Sequence, residues 1–436
     1  MHPARLSLAA LLALAAPAAL APAYSATVAV TPAGESAAAF YDLRGHRPIW
    51  FGASLADPSA AHALIGLLRT AEADGLDPRR YDLDRLQQAL AEAENGSFEA
   101  VERADRLLSE ALVGYVRDLR RASPADMLWV DPELRPMPTS ARDILDSFAA
   151  AGSQRDFVAQ MAWMNPIYAD LRRALVAGEA TPEQRALLRL NLDRARALPP
   201  PTGRYIIVNA SSARLTMHEG GQTVDSMRVV VGKPAQPTPM MAALIRYTSL
   251  NPYWNVPPDL TAERIAPNVL KEGLSYLKAK GYQVFADWDE DSDVIDPATV
   301  DWEAVAARKS DIRIRQLPGP HNGMGQMKFM FPNTAGVYLH DTPQKELLSE
   351  ASRMFSGGCV RLEDAPRLAR WLYGRALTPA GSAPEQRVDL DAQVPVYITY
   401  LTAVPENGRI AYLPDVYGRD HLALARLGAS RQFASR

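Results

Sequence analysis

Apolar residues recur at intervals of three and four positions through most of the first half of the chain. Leu, Ala and Val follow this spacing in the runs SAAHALIGLLRTAEADGL, DLDRLQQALAEAENG and FEAVERADRLLSEALVGYVRDLRRA. A period near 3.6 residues is typical of helices that bury one apolar face. Asp and Ser precede several runs as candidate helix caps, and the stretches DGLDP and ENG interrupt them. We therefore predict a helical scaffold domain over residues 40–200.

The pattern changes after the proline run at positions 199–201. The chain then has short runs of β-branched or alternating apolar residues, RYIIVNA, RLTMHE and SMRVVVG, separated by Ser, Gly and Asn. Such runs predict strands joined by turns. The strand-like character continues through GVYLHDT and VPVYITYLTAV, so we expect a mostly β domain over residues 203–405. Residues 406–436 are expected to be a polar, Arg-rich tail with one helix near residues 419–427.

The strand-like runs are interrupted between NPYWNVPP and KFMFPN. Residues 259–281 have helical spacing, and residues 282–310 carry Asp and Glu together with Trp288 and Trp302. Connections longer than about 12 to 15 residues are usually functional or disordered. We predict that residues 251–320 form a helical capping insertion, and an insertion that only adds surface is the alternative. The expected fold class is α+β, with the helical scaffold first and the mostly β domain second.

Residues 1–26 have the layout of a secretory signal peptide. Arg5 precedes an apolar run, and small residues with Ala-x-Ala spacing follow it. An uncleaved membrane anchor is the alternative, but an anchor needs roughly 20 apolar residues and this run is shorter. No later segment is apolar enough to span a bilayer, and no cysteine near the cleavage region offers a site for lipid attachment. We therefore expect export to a bacterial periplasm, with no membrane span once the signal is removed.

Composition and charge narrow the classes of function. Of the 436 residues 47% are hydrophobic, enough for sizeable cores in two or three domains. The 47 Lys and Arg residues are nearly balanced by 50 Asp and Glu residues, and the net charge is -3. No overall basic field attracts nucleic acid or anionic lipid, which argues against nucleic acid as a partner. No clustered His, Asp and Glu motif indicates a metal, and no cofactor is expected.

Cys359, in MFSGGCVRLED, is the only cysteine in the chain. One cysteine cannot form a disulfide within an exported chain, so the thiol is either buried and inert or kept for its reactivity. His340, at the end of the strand predicted in GVYLHDTP, is the nearest candidate to take its proton. Two glycines before Cys359, and a helix predicted to start directly after it, would gather backbone N–H groups and stabilise a thiolate. A glycine turn that only joins a loop to a helix is the alternative.

These segments together resemble a known family. The run KFMFPNTAGVYLHDTP followed by RMFSGGCVRLEDAPRLA is similar to the catalytic signature of the murein L,D-transpeptidases, which carry a YkuD-type domain. The runs FYDLRGHRPIW, GLDPRRY and NPYWNVPP resemble elements of the long periplasmic form, so the resemblance extends from about residue 40 to residue 430. It implies that Cys359 is the nucleophile, that His340 is its general base and that the backbone carbonyl of Asp341 orients the imidazole.

Two side chains near this pair match further family positions. Arg361 corresponds to an arginine near the stem-peptide carboxylate, and an ordinary surface arginine is the alternative. Tyr338 precedes His340 by two positions and therefore shares its strand face, where the family has a tyrosine near the oxyanion. Core packing is the alternative for Tyr338. Both residues are expected to bind substrate.

The resemblance also carries expectations for the turn and the cap, and it has two gaps. The backbone N–H of Gly358 is expected in the oxyanion site, and Ser356, Gly357 and Trp254 are expected to contact substrate, with Trp254 near the hinge of the cap. The family often has histidine at the position of Gly357, so base catalysis here depends on His340. Residues 128–200 contain no convincing copy of the peptidoglycan-binding helical module that long members often carry.

The activity implied by the resemblance is acyl transfer in peptidoglycan biosynthesis, cell wall organisation and the maintenance of cell shape. A periplasmic transferase would form a cysteine thioester with a tetrapeptide stem, release D-Ala and pass the acyl group to the diamino acid of another stem. Peptidoglycan stems and carbapenem-type inhibitors are the expected partners. Water as acceptor would make the protein an L,D-carboxypeptidase, and a lipoprotein lysine would make it an anchoring enzyme. A non-catalytic wall-binding scaffold is the alternative outside the enzyme class.

Overall fold

The computed structural model describes residues 36–51, 57–94, 96–121, 126–137, 139–289 and 291–434, with side chains described up to residue 426. The predicted signal peptide, residues 1–26, lies outside the described residues. None of the described helices is both long enough and apolar enough to cross a membrane.

Helices make up most of the described chain before residue 200. They are α1 Ala37–Leu43, α2 Ser59–Arg69, α3 Leu83–Glu94, α4 Phe98–Leu119, α5 Ala141–Ala149, α6 Gln154–Ala159, α7 Pro166–Ala177 and α8 Pro182–Ala195. The long helix α4 buries Leu108, Leu112 and Val116, which are four positions apart, as the apolar spacing predicts. The helical scaffold that the sequence predicts is therefore confirmed.

Strands dominate the remainder of the chain. In chain order they are β1 Leu128–Trp129, β2 Arg204–Asn209, β3 Arg214–Glu219, β4 Gln222–Gly232, β5 Met241–Leu250, β6 Trp254–Val256, β7 Tyr282–Phe285, β8 Arg313–Gln316, β9 Met327–Met330, β10 Leu339–His340, β11 Met354–Ser356, β12 Val360–Leu362, β13 Gln386–Thr399, β14 Ala403–Glu406 and β15 Arg409–Tyr412. The helices among them are α9 Pro258–Leu260, α10 Ala266–Glu272, α11 Ser275–Lys280, α12 Trp302–Ala306, α13 Ala365–Tyr373 and α14 Arg419–Ala434.

The main sheet closes on itself. Its strand order is β1-β5-β13-β2-β3-β4-β12-β10-β9, β9 also pairs with β5, and β11 pairs with β4. Closure removes the exposed strand edges of an open sheet. One cluster of buried apolar side chains extends from the helices before residue 200 into this barrel. The scaffold therefore supports the barrel through a shared core.

The capping insertion is a mixed lobe with a small core of its own. Strands β6, β8 and β7 form a three-stranded sheet, and helices α9 to α12 pack with it around Val256, Val284 and Ile314. Strand β8, within the alternating run DIRIRQLPG, pairs with β6 and β7 of the lobe and not with the strands of the barrel. Alternating residues predict a strand but do not specify its partner. Trp254 pairs with Gln316, so the chain enters and leaves the lobe at adjacent positions.

The C-terminal segment is more structured than the polar tail expected over residues 406–436. Strands β14 and β15 form a hairpin whose turn, Asn407 and Gly408, has positive φ at both residues. An Asn-Gly pair at that position favours this type of hairpin turn. Helix α14 then packs on the scaffold, where Asp420 accepts a hydrogen bond from Arg194 at 2.5 Å. The last helix therefore ties the end of the chain to α8.

Candidate active site

Cys359 lies in a short turn between β11 and β12, both of which pair with β4. The Ser356 hydroxyl closes this turn, because it donates to the Cys359 carbonyl at 2.6 Å and accepts from the Gly358 N–H at 3.1 Å. Gly358 has φ of 119°, a conformation that side chains strongly disfavour. The Thr238 hydroxyl donates to the Gly358 carbonyl at 2.8 Å. Hydrogen bonds from two directions thus fix the backbone that carries the thiol.

His340 ends β10, the strand that pairs in parallel with β12. The register places His340 opposite Arg361, and it therefore places Tyr338 beside Cys359. The imidazole is buried, with 1% of the residue exposed, and its Nδ1 lies 2.5 Å from the Asp341 carbonyl oxygen. A carbonyl only accepts hydrogen bonds, so Nδ1 carries the proton and Nε2 keeps a lone pair. This is the tautomer that a general base needs.

Both candidate reacting groups are neutral near pH 7. Burial lowers the pKa of His340 to about 3, and the positive charge of Arg361 contributes to the shift. Burial raises the pKa of Cys359 to about 11, against the lowering effects of the Tyr338 N–H and Arg361. The thiol donates to the Gly336 carbonyl with an Sγ–O distance of 3.5 Å, and the described residues include no hydrogen bond between thiol and imidazole. A thiolate at this position would therefore form only when a base removes the thiol proton.

The helix predicted to start directly after Cys359 is absent. Val360–Leu362 form strand β12, and α13 begins only at Ala365, with Asp364 as its N-cap. The Val-Arg-Leu run alternates in the way that a strand requires, and the proline at the second helical position suits the later start. The helix dipole is thus too far away to stabilise the thiolate. The Tyr338 N–H and the Arg361 charge are the groups that lower the pKa of the thiol instead.

Thiol and imidazole face an open cleft of about 700 Å³ between the barrel and the cap. The cap contributes β6, the turn that follows it and α11, while the barrel contributes the cysteine turn and the loop before β10. Most of the sequence-predicted site residues line this cleft, namely Cys359, His340, Arg361, Tyr338, Ser356, Gly357 and Trp254. Gly358 and Asp341 are not among the lining residues. The fold therefore brings together segments that are up to about 100 positions apart.

The hydrogen bonds of the turn change two of the expected roles. The Ser356 hydroxyl is already used within the turn, and the Gly358 N–H that we assigned to the oxyanion is bonded to it. The Cys359 N–H has no hydrogen-bond partner among the described residues. It is therefore the better candidate for an oxyanion donor. A Cβ at Gly357 would contact Gln236 Oε1 at 3.4 Å and Leu260 Cδ1 at 3.8 Å.

The side chains of Tyr338 and Arg361 differ in their surroundings. The Tyr338 ring lies edge-on to the His340 ring, with centroids 6.1 Å apart. Burial raises the pKa of Tyr338 well above its usual range, so its hydroxyl remains protonated. Arg361 Nη1 donates to Gln344 Oε1 at 2.8 Å. Tyr338 is thus a neutral donor next to the imidazole, and Arg361 is a cation held by a neutral amide.

Lys345, which the sequence analysis did not single out, anchors the segment after His340. Its Nζ donates to Asp341 Oδ1 at 2.7 Å, to the Leu362 carbonyl at 3.1 Å and to the Glu363 carbonyl at 2.9 Å. These three acceptors occupy all three ammonium protons. The lysine thereby connects two segments. One is the loop after His340, which contains Asp341, and the other is the end of β12. A lysine four positions after an aspartate in a loop is no recognisable motif.

We expect Lys345→Met to slow acylation of the thiol about tenfold to a hundredfold, because small misplacements of a catalytic group have effects of that order. The lysine is half exposed, so thermal stability should change little. Stopped-flow acylation and a melting curve measure the two effects. Lys345→Arg should restore part of the rate, and the exposed Lys309→Met should leave it unchanged. An unaltered acylation rate in Lys345→Met would exclude a positioning role.

Comparison with known proteins agrees with this geometry. Residues 203–398 match the YkuD family model, which is described as an L,D-transpeptidase catalytic domain, and residues 35–175 match a model described as a scaffold domain. A protein of Haemophilus influenzae that is provisionally named an L,D-transpeptidase is 29% identical over 398 residues, which cover 88% of this chain and 78% of that protein.

The similarity to solved structures is weak. An L,D-transpeptidase from Mycobacterium smegmatis is 14% identical, with 45% of this chain and 58% of that chain covered and a TM-score of 0.23. For an Enterococcus faecium L,D-transpeptidase the identity is 12%, the coverage is 45% and 49%, and the TM-score is 0.21. The chain thus spans less than two thirds of these solved chains, and scores this low add nothing to the assignment. Residues 203–398 thus match the YkuD-type L,D-transpeptidase catalytic domain, residues 35–175 match a scaffold domain, and the relative from Haemophilus influenzae is similar along most of the chain.

Proposed function

We propose that this protein is an exported, periplasmic enzyme that acylates Cys359 with a peptidoglycan tetrapeptide stem and transfers the acyl group to a second stem. The observation that carries the proposal is the placement of Cys359 and His340 on paired neighbouring strands that face one open cleft. The signal-like layout of residues 1–26 supports export. The match of residues 203–398 to the L,D-transpeptidase catalytic domain supports transpeptidase chemistry in general, and the steps below are part of the proposal.

In the first step, Sγ of Cys359 attacks the carbonyl that joins the third residue of the stem to its terminal D-Ala. The thiol proton moves to Nε2 of His340 as the S–C bond forms, since both groups start neutral. The C–N bond then breaks, and the imidazolium returns the proton to the amine of the departing D-Ala. The stem remains as a thioester on Cys359.

The developing oxyanion has two candidate donors. The Cys359 N–H points from the turn without a hydrogen-bond partner among the described residues, and the Tyr338 hydroxyl keeps its proton. Donors fixed before the reaction stabilise the tetrahedral intermediate at little cost in reorganisation. Arg361 lines the same cleft, and in this proposal its guanidinium binds a stem carboxylate.

In the second step, a side-chain amine from another stem attacks the thioester carbonyl. His340 takes the proton from that amine, the C–S bond breaks, and the thiol is protonated again. Water in place of the amine would release a tripeptide and make the protein an L,D-carboxypeptidase. A lipoprotein lysine would make it an anchoring enzyme.

Mass spectrometry of the intact protein tests this proposal. Incubation with a purified tetrapeptide muropeptide should add the mass of the stem less D-Ala, and a carbapenem should add its own mass, in both cases on Cys359. Analysis of the products then separates the acceptors, because dimers indicate transpeptidation and free tripeptide indicates hydrolysis. No adduct with either compound would favour a non-catalytic wall-binding protein.

Excision of the cap should impair capture of the stem more than folding. Because Trp254 pairs with Gln316, two glycines can replace residues 255–315, and the cap has its own apolar core. We expect acylation by stems to fall at least about tenfold and hydrolysis of the thioester to accelerate, since lids hold substrate and exclude water. The described residues between 286 and 293 do not line the cleft, so shortening that loop is the control. Equal rates in both variants and the parent would show that the cap has no gating role.

A further inference from the structure

The cleft is basic although the chain as a whole carries a net charge of -3. Arg264 and Lys280 line it from the cap, and Arg361 lines it from the barrel. Asp259 is the only carboxylate among the described lining residues, and it accepts a hydrogen bond from the Gln236 amide. The charge of the cleft therefore favours an anionic ligand.

Arg361 is a partly buried cation with no carboxylate partner in the described chain. The one hydrogen-bond acceptor found for its side chain is Gln344 Oε1, which is neutral. Burial lowers the pKa of Arg361, and the charge of Arg264 lowers it further. Both arginines also line a smaller cavity next to the cysteine turn. The two guanidinium groups are thus near neighbours across the boundary between barrel and cap.

Arg264 also has no acidic partner among the residues that the structure describes, and the neighbouring Glu263 pairs with other cations. It lies in a π-helical turn, Thr261–Ile265, where Glu263 pairs with Lys233 at 3.3 Å and with Arg308 at 2.7 Å. No ion pair of Arg264 is found among the described residues. Single π turns in α-helices are frequent at functional sites. Within this turn Glu263 forms ion pairs with Lys233 and Arg308, and Arg264 lines the cleft.

We propose that Arg264 and Arg361 together form a binding site for a carboxylate of the donor stem, with one guanidinium from the cap and one from the barrel. This inference rests on the proposed function, since it specifies the substrate of the same cleft. Each guanidinium offers a planar fork of N–H donors that fits a carboxylate, and the ligand would relieve the repulsion between the two cations. The bound anion would then bridge cap and barrel, and stems with a free carboxylate at that position would be preferred.

The test combines Arg264→Gln with a set of tetrapeptide stems in which each carboxylate in turn is replaced by a carboxamide. With the unmodified stem, the variant should raise KM for acylation roughly 10- to 100-fold, the effect of losing a charged hydrogen-bonded contact. With the parent protein, one carboxamide stem should raise KM by a similar factor. With Arg264→Gln, the same stem should raise KM little further, because the contact is already lost. Arg264→Lys should have a KM between those of the parent and Arg264→Gln. Lys271→Gln, an exposed change on the same lobe, should behave as the parent.

Two outcomes would overturn the carboxylate site. One is an unchanged KM in Arg264→Gln, and the other is a set in which every carboxamide costs the same factor in the parent and in the variant. Calorimetric binding of the stems to Cys359→Ala, with and without Arg264→Gln, separates this result from the chemistry. Weaker binding in the double variant supports the site even if the parent forms no thioester. A normal thioester with an unchanged KM overturns the site and leaves the proposed function standing.

Discussion

Cys359→Ala is expected to abolish covalent chemistry completely. The chain has no other cysteine, and the mechanism has no other group that can carry the acyl chain. Neither a tetrapeptide stem nor a carbapenem should add mass to the variant, and release of D-Ala should fall to the rate measured without protein. Intact-protein mass spectrometry and a D-Ala assay read these results. Dimer formation at the parent rate would remove Cys359 from the mechanism.

The same variant should remain folded, which makes the result interpretable. The thiol is only partly buried, and the one hydrogen bond it donates, at an Sγ–O distance of 3.5 Å, ends on the Gly336 carbonyl. The Ser356 hydroxyl that closes the turn bonds to backbone atoms, which the substitution leaves in place. Loss of one sulfur atom beside an open cleft leaves little cavity. The melting temperature should therefore match that of the parent within a few degrees, and a large drop would show that the thiol has a structural role.

The sequence predicts the chemistry of the site better than its geometry. A single cysteine in a glycine turn and a histidine at a strand end could be selected from residue types and motif alone. Their relation depends on the parallel pairing of β10 and β12, which have two and three residues. Strands this short have no periodicity from which register or partner can be read. Only the closed barrel shows that the two segments are neighbours.

The errors have local causes. The helix expected directly after Cys359 begins only at Ala365, because residues 360–362 alternate and pair as a strand with β4 and β10. The Asn407–Gly408 pair favours a hairpin turn by residue type, although polar residues surround it. In both segments the observed structure follows the short-range alternation or the turn residues and not the character of the longer surrounding stretch.

Lys345 and Arg264 illustrate what the sequence could not provide. The role of Lys345 depends on two backbone carbonyls 17 and 18 positions away, and carbonyls carry no sequence signal. The role of Arg264 depends on the fact that Glu263 is occupied by Lys233 and Arg308. Partnerships among charged side chains follow from the tertiary fold. They can be assigned only after the cap and the barrel have been placed against each other.

His340→Ala should lower the rate of acylation by about two to four orders of magnitude at neutral pH, as loss of a general base typically does. In the parent, the thiol stays protonated below its pKa of about 11 and the imidazole stays neutral above its pKa of about 3. The reactive neutral pair is thus present throughout the range between. The parent rate should therefore be nearly flat across the moderate pH values at which the protein is stable.

The variant should respond to pH in a different way. Without the imidazole only the preformed thiolate reacts, and its fraction rises about tenfold per pH unit while the pH remains below the thiol pKa. The rate of His340→Ala should climb with that slope, and the gap to the parent should narrow in alkaline solution. Stopped-flow acylation by a carbapenem at a series of pH values measures both profiles. His321→Ala, which removes another histidine that lines the cleft, is the control and should keep the flat profile. A flat profile in His340→Ala at the parent rate would show that some other group activates the thiol.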